Sequence, residues 1–172
     1  MSLPTIDTAA LFDVAGKTAI VVGATGAFGQ VACATLGQAG AKLVITAGSA
    51  DPLAALSADL EAANIEAVGV ARRPSSEADC DAIVAAALEA FGAVDILVVA
   101  SGVNDVAPIV EMEPERFQRV MQANVDGAWL IARAVGRQMI AQGRGGKVVF
   151  TSSARGKLGH PAGYSAYCTS KA

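Results

Sequence analysis

An α/β fold, a doubly wound parallel sheet with helices on both faces, is predicted by three observations. Short, nearly continuous apolar runs such as Thr18 to Val22 and Ile96 to Ala100 have strand length and lack polar alternation, as strands buried on both faces do. These runs alternate with longer segments of helical periodicity, a spacing that implies right-handed crossovers between parallel strands. Finally, Gly23, Gly26 and Gly29 follow the first run directly and open the first helix.

The elements follow in order. Strand one is Thr18 to Val22, and Phe28 to Ala39 is a helix whose Ala32 and Ala34 permit close packing on a sheet, stopped by Gly40. Lys42 to Thr46 is strand two. The next helix is expected to take Asp51 as its cap and Pro52 as its first position, and to run to about Ala63. Ala67 to Val70 is strand three. Ser76 with Asp79 three residues on forms a capping box for a helix ending at Phe91 and Gly92. Ile96 to Val99 is strand four. Pro114 begins one long helix to about Gln142, the glycine-rich turn Gly143 to Gly146 closes it, and Val148 to Phe150 is strand five.

The 172 residues suit a single domain with a sizeable core. Hydrophobic residues make up 53%, charged residues 17%, and mean hydropathy is +0.45, yet the longest apolar runs fall far short of the ~18 residues a membrane helix needs. No membrane span is expected. A net charge of −3 without any basic run argues against a nucleic-acid surface and favours small-molecule partners. Cys33, Cys80 and Cys168 are odd in number and scattered over helical patterns, which fits reduced, buried thiols in a cytoplasmic protein with no metal site. Met1 to Gly16 lacks the basic and apolar regions of a signal peptide and reads as a leader into the fold.

Ligands of such sheets bind at the carboxyl ends of the strands, where strand order reverses. The Gly23 to Gly29 turn falls there, and missing side chains let backbone N–H groups and a helix N-terminus approach a pyrophosphate. Ser101 and Gly102 leave strand four beside strand one, either as a simple exit turn or as part of the site. Asn124 lies on the stripe Phe117, Met121, Asn124, Ala128, Ile131, Val135, the buried face of the long helix. Its amide needs partners there, whether as a core asparagine bonded to backbone or as part of a water or proton relay. Ser152 and Ser153 end strand five, and a loop with Gly156, Gly159 and Pro161 leads to Tyr167 and Lys171. At i and i+4 on a helix, phenol and ammonium share a face, and a nearby cation favours phenolate, so Tyr167 is a candidate proton donor and acceptor. The Ser153 hydroxyl could hold the oxygen that receives the proton.

With these residues the chain resembles the classical short-chain dehydrogenases/reductases over essentially its full length. The resemblance rests on the Gly23 to Gly29 turn, Asn124 with Gly127, the Ser152-Ser153 pair, and Tyr167 with Lys171. It implies a Rossmann-like fold and a catalytic tetrad of Asn124, Ser153, Tyr167 and Lys171. Ser153 would bond the substrate oxygen, Tyr167 would move its proton, Lys171 would bind the nicotinamide ribose and lower the Tyr167 pKa, and Asn124 would support a water relay. The implied activity is hydride transfer between a nicotinamide cofactor and a carbonyl or alcohol. Expected cofactor contacts are Gly23, Thr25, Gly26, Phe28, Gly29, Ala47, Gly48, Ser49, Ser101, Gly102, Tyr167 and Lys171.

Departures from the family pattern bear on cofactor and completeness. The family's threonine before the first glycine is Val22, its second glycine falls at Ala27, and its Asn-Asn-Ala-Gly after strand four reads Val99, Ala100, Ser101, Gly102. Its acidic adenine contact after strand three is replaced by Arg73. Ala47, Gly48 and Ser49 offer no acid to exclude NADP and no arginine to recruit it, so the expectation is NADP or NAD with a slight lean to NADP and Ser49 as a phosphate contact. One residue is inserted before Tyr167, leaving Tyr164 as a minor rival without a lysine partner. The chain stops at Ala172 inside the Tyr167 helix, where the family continues, so the single domain is expected to be incomplete at its C-terminus and the fragment poorly soluble and inactive. A longer form would be a homodimer or homotetramer. The alternatives are an extended-type epimerase or dehydratase and a non-catalytic nucleotide-binding regulator.

Overall fold

The computed structural model describes Asp7 and residues 10–172; of the expected leader, residues 1–6, 8 and 9 lie outside the described residues. Five strands, β1 (Thr18–Val22), β2 (Lys42–Thr46), β3 (Ala67–Val70), β4 (Ile96–Val99) and β5 (Lys147–Phe150), form one parallel sheet in the order β3-β2-β1-β4-β5. Strand order reverses at β1. The crossovers are α1 (Ala27–Gln38), α2 (Ala50–Ala62), α3 (Glu77–Phe91) and the long pair α4 (Pro114–Met121) and α5 (Gly127–Gln142), and α6 (Ser165–Lys171) follows β5.

The period of two along each strand divides the core into two halves. Ala19, Val21, Leu43, Ile45, Ile96 and Val98 pack with Cys33 and with Leu53, Leu56 and Leu60 of α2. Ile20, Val22, Val44, Leu97 and Val99 face the other way, onto Cys80 and Ile83 of α3 and Ile131, Val135 and Met139 of α5. All residues of β1 and β4 are buried, as their apolar runs predict. β5 differs: Val148, Val149 and Phe150 are 42%, 46% and 53% exposed, because β5 is an edge of the described sheet.

Two local expectations are corrected. α2 begins at Ala50 with Ser49 as N-cap, so Asp51 is a first-turn residue and not the cap. Pro52 is tolerated there because the first-turn N–H groups have no intrahelical acceptor. Nor is the segment from Pro114 to Gln142 an uninterrupted α-helix: Gln122–Asp126 is a π-helical turn between α4 and α5. The extra residue rotates the preceding turn, so that Val120 is the fully buried side chain of α4 while Phe117 and Met121 are only half-buried. Ser76 caps α3 as predicted, the Asp79 N–H donating to Ser76 Oγ at 3.1 Å, but the Asp79 carboxylate accepts from Ser76 Oγ at 2.6 Å rather than from the Ser76 N–H, and Gly92 ends the helix at φ +74°. Among the described residues no helix is long and apolar enough to cross a membrane.

Candidate active site

The carboxyl ends of β1, β2, β4 and β5 meet the loops that carry the predicted residues. After β1 the chain turns sharply at Gly23, which has φ +77°. A Cβ there would lie 2.7 Å from Ser101 Cα, so the glycine lets the first turn and the exit of β4 close on each other. The N–H groups of Gly23 and Ala24 donate to the Thr46 carbonyl at 2.9 and 3.1 Å, tying the same turn to the end of β2. Gly29 is buried against the turn, and a Cβ there would lie 2.8 Å from Ala24 Cα. Gly26 caps α1, whose first turn carries neither a side-chain cap bond nor an acidic residue, so its positive end is unopposed. Thr25 offers its carbonyl to Gln30, and Phe28 is exposed.

Across the switch point, Ser101, Asn124, Thr151, Ser152, Ser170 and Lys171 border a cleft of about 220 Å³. Asn124 stands on the π turn, 7% exposed, and its amide is engaged on both sides. Its Oδ1 accepts the Val103 N–H at 2.7 Å, and Nδ2 donates to the Val103 carbonyl and to Ser170 Oγ, each at 2.9 Å. Ser170 in turn donates to the Tyr167 carbonyl at 2.9 Å. The buried amide thus has the backbone partners expected of a core asparagine and also reaches the helix bearing Tyr167 and Lys171.

Lys171 donates from Nζ to the Thr151 carbonyl at 3.0 Å, and Nζ lies 5.9 Å from the Tyr167 ring centroid. Burial pushes its pKa down, since the charged form is the one that loses hydration. A Cβ on Gly102 would stand 3.5 Å from both Lys171 Nζ and Asn124 Oδ1, so the glycine keeps the space between these two polar atoms open. Ser152 Oγ donates to the Lys171 carbonyl at 3.1 Å. Ser153 Oγ accepts the Arg155 N–H at 3.2 Å, capping a 3₁₀ turn over Ala154–Gly156. Neither Ser153 nor Tyr167 borders the cleft. Tyr164 is set apart by its own contacts, with the His160 ring 4.7 Å away and a bridge to Ala107.

The loop after β4 is fixed at three points: Val103 by Asn124, Asp105 by Arg116 and Arg119, and Ala107 by the Gly163 carbonyl at 3.0 Å. The bond from Arg116 holds the Asp105 carboxyl below the usual carboxylate range. Two participants were not legible in the sequence, Thr151 as acceptor for Lys171 and Ser170 as a link from Asn124, while Arg73, singled out after strand three, lies against Gly48. Each is a contact between segments remote in the chain, for which no local spacing is a signal. Cys33 and Cys80 are buried, pushed up to about 12 and about 11 chiefly by desolvation, whereas Cys168 is half-buried rather than buried. Among the described residues no group of acidic, histidine and cysteine side chains is suited to a metal.

The model of the short chain dehydrogenase family matches residues 17–172. An uncharacterized oxidoreductase of Mycobacterium tuberculosis is 51% identical over 164 residues, covering 95% of this chain and 60% of that protein. A sorbitol dehydrogenase of Cereibacter sphaeroides is 34% identical over 157 residues, covering 91% of this chain and 60% of its own. Among solved structures, a short chain dehydrogenase/reductase from Burkholderia phymatum in complex with NAD superimposes with a TM-score of 0.89 at 32% identity, covering 93% of this chain and 57% of that one. The chain therefore spans about 60% of the length of these curated relatives. Since the family match takes in every element from β1 to α6, the chain belongs to the short-chain dehydrogenase family.

Proposed function

We propose that the protein is an NAD(P)-dependent oxidoreductase acting on a small carbonyl or alcohol. The observation that carries this reading is the convergence of Lys171, Asn124 and Gly102 beside the turn at Gly23, with Tyr167 one helical turn from Lys171. A dinucleotide fits the residues present. The uncapped, acid-free N-terminus of the twelve-residue α1 offers backbone donors for a pyrophosphate, and Gly23 and Gly29 allow that backbone its tight turn. When bound, the nicotinamide supplies the hydride acceptor or donor.

Every other role belongs to the chain's own groups. Tyr167 transfers a proton to or from the substrate oxygen. Ser153 accepts from the Arg155 N–H, which leaves the hydroxyl proton free to be donated to that same oxygen. Lys171 is anchored on Thr151 and presents the cation of the site toward the cofactor ribose. Asn124 is a positioning residue, holding Val103 on one side and the α6 helix through Ser170 on the other. NAD or NADP serves as cofactor, with NADP favoured because Ala47, Gly48 and Ser49 include no acid to repel a 2′-phosphate. The sorbitol dehydrogenase among the relatives and the NAD complex among the neighbours support the substrate and cofactor classes. Assembly of the full-length form as a homodimer or homotetramer and a cytoplasmic location complete the proposal.

The test is Tyr167→Phe in a full-length form, since this chain covers about 60% of the length of its relatives. Carbonyl reduction should fall by roughly 100- to 10,000-fold, the span usual for a lost general acid, while cofactor affinity stays within about threefold. Turnover that survives the substitution overturns the assignment of Tyr167.

A further inference from the structure

Two arginines follow β3, and the fold uses them differently. Arg72 is neutralised: its Nη1 lies 2.8 Å from Asp79, which also accepts from Ser75 and Ser76. The Arg73 side chain has neither an ion pair nor a hydrogen bond among the described residues. Its guanidinium lies against the backbone of Gly48, so that a Cβ on that glycine would stand 2.7 Å from Arg73 Cζ and 2.8 Å from Nη2. Both residues are exposed.

Gly48 lies just beyond β2, whose last carbonyl, that of Thr46, binds the N–H groups of the Gly23 turn. In a dinucleotide-binding sheet this is where an acid bonds the ribose hydroxyls of NAD or an arginine accommodates the 2′-phosphate of NADP. No acid stands at Ala47, Gly48 or Ser49, and the Ser49 side chain makes no cap bond. The loop brings no cation of its own, but Arg73 arrives from the neighbouring strand because β2 and β3 end side by side, with Thr46 opposite Val70. Thr46 Oγ1 also donates to the Arg72 carbonyl, fixing the start of the arginine loop on β2. We propose that Arg73, seated on Gly48, is the specificity-determining residue that selects a 2′-phosphorylated dinucleotide. The planar guanidinium suits a phosphate, and Gly48 is the residue that leaves room for it, since any side chain there would displace Arg73.

This inference rests on the dinucleotide reading of the site, and two probes separate the two. Calorimetric titration compares adenosine 2′,5′-bisphosphate with 5′-AMP on the unaltered protein and on Arg73→Ala and Arg73→Lys, with thermal melts confirming that the variants fold. The bisphosphate should bind more tightly to the unaltered protein. Arg73→Ala should weaken it by roughly 10- to 100-fold, the usual worth of a charged hydrogen bond, while 5′-AMP changes by less than about threefold. Arg73→Lys should retain part of the preference, because the charge survives and the fork does not. Equal affinity for the two probes, or an equal loss of both in Arg73→Ala, overturns the inference alone. Binding of neither probe to the unaltered protein overturns the dinucleotide reading and this inference with it.

Discussion

Lys171 is a cation in a half-buried place, and its pKa is pushed below the ordinary lysine value by desolvation. In the interval between the folded and the unfolded pKa, the unfolded chain binds more protons at this site than the folded one. Stability from this residue therefore rises as pH rises through that interval, and is lowest where both states are protonated. Lys171→Met removes the titration. In urea unfolding as pH is raised toward the ordinary lysine value of 10.5, the unaltered protein should gain stability with pH relative to Lys171→Met, and identical slopes would contradict the burial argument. The same residue shows what helical spacing does and does not convey. Tyr167 and Lys171 share a helix face, but the ammonium ends on the Thr151 carbonyl, with the phenol ring 5.9 Å away by its centroid.

At the scale of elements, two glycines within helices make opposite predictions. Replacing a helical glycine by alanine ordinarily gains about 1 kcal/mol of backbone propensity. In α5 a Cβ on Gly136 would meet nothing within 4 Å, so Gly136→Ala should stabilise by roughly 0.5–1 kcal/mol. In α1 a Cβ on Gly29 would be forced against the backbone of Gly23 and Ala24. Overpacking of this kind costs about 1–3 kcal/mol and outweighs the propensity gain, so Gly29→Ala should destabilise by up to about 2 kcal/mol and distort the turn at Gly23. Urea midpoints of the two variants check the signs; a stabilised Gly29→Ala would show that the turn yields. The π turn is an element of the same kind. It costs helical regularity and places the Asn124 amide on Val103 and Ser170 together.

The whole molecule separates the work of its two ends. At the amino end of the sheet, Asp95, 8% exposed, accepts the Thr18 N–H at 2.9 Å and pairs with Arg144 at 2.8 Å. Its backbone bonds Thr18 on one side and Lys147 on the other, so one residue joins β1, β4 and β5. Asp95→Ala leaves a buried N–H without its partner and should cost about 1–3 kcal/mol of stability. The loops proposed to bind the dinucleotide stand at the opposite ends of these strands, so nucleotide affinity per folded molecule should be unchanged. A fall in that affinity with stability restored by lower temperature would show that the two ends are coupled.

The strands β1 to β5, their parallel alternation with helices, the turn at Gly23 and the cap of α3 at Ser76 were legible in the sequence, because each depends on local periodicity or on a residue whose backbone preference is strong. Asp51 misled because several residues near a helix start can serve as cap, and only the backbone of Ser49 decides among them. Apolar periodicity does not distinguish an α turn from a π turn, so the break at Asn124 was invisible until the partners of its amide were known. Tertiary structure alone decided that Lys171 anchors on Thr151, that Ser170 links Asn124 to the Tyr167 helix, and that Arg73 rests on Gly48. These contacts join segments far apart in the chain: the parallel register of β2 and β3 brings Arg73 to Gly48, whereas the packing of α6 against the end of β5 and against the π turn makes the other two.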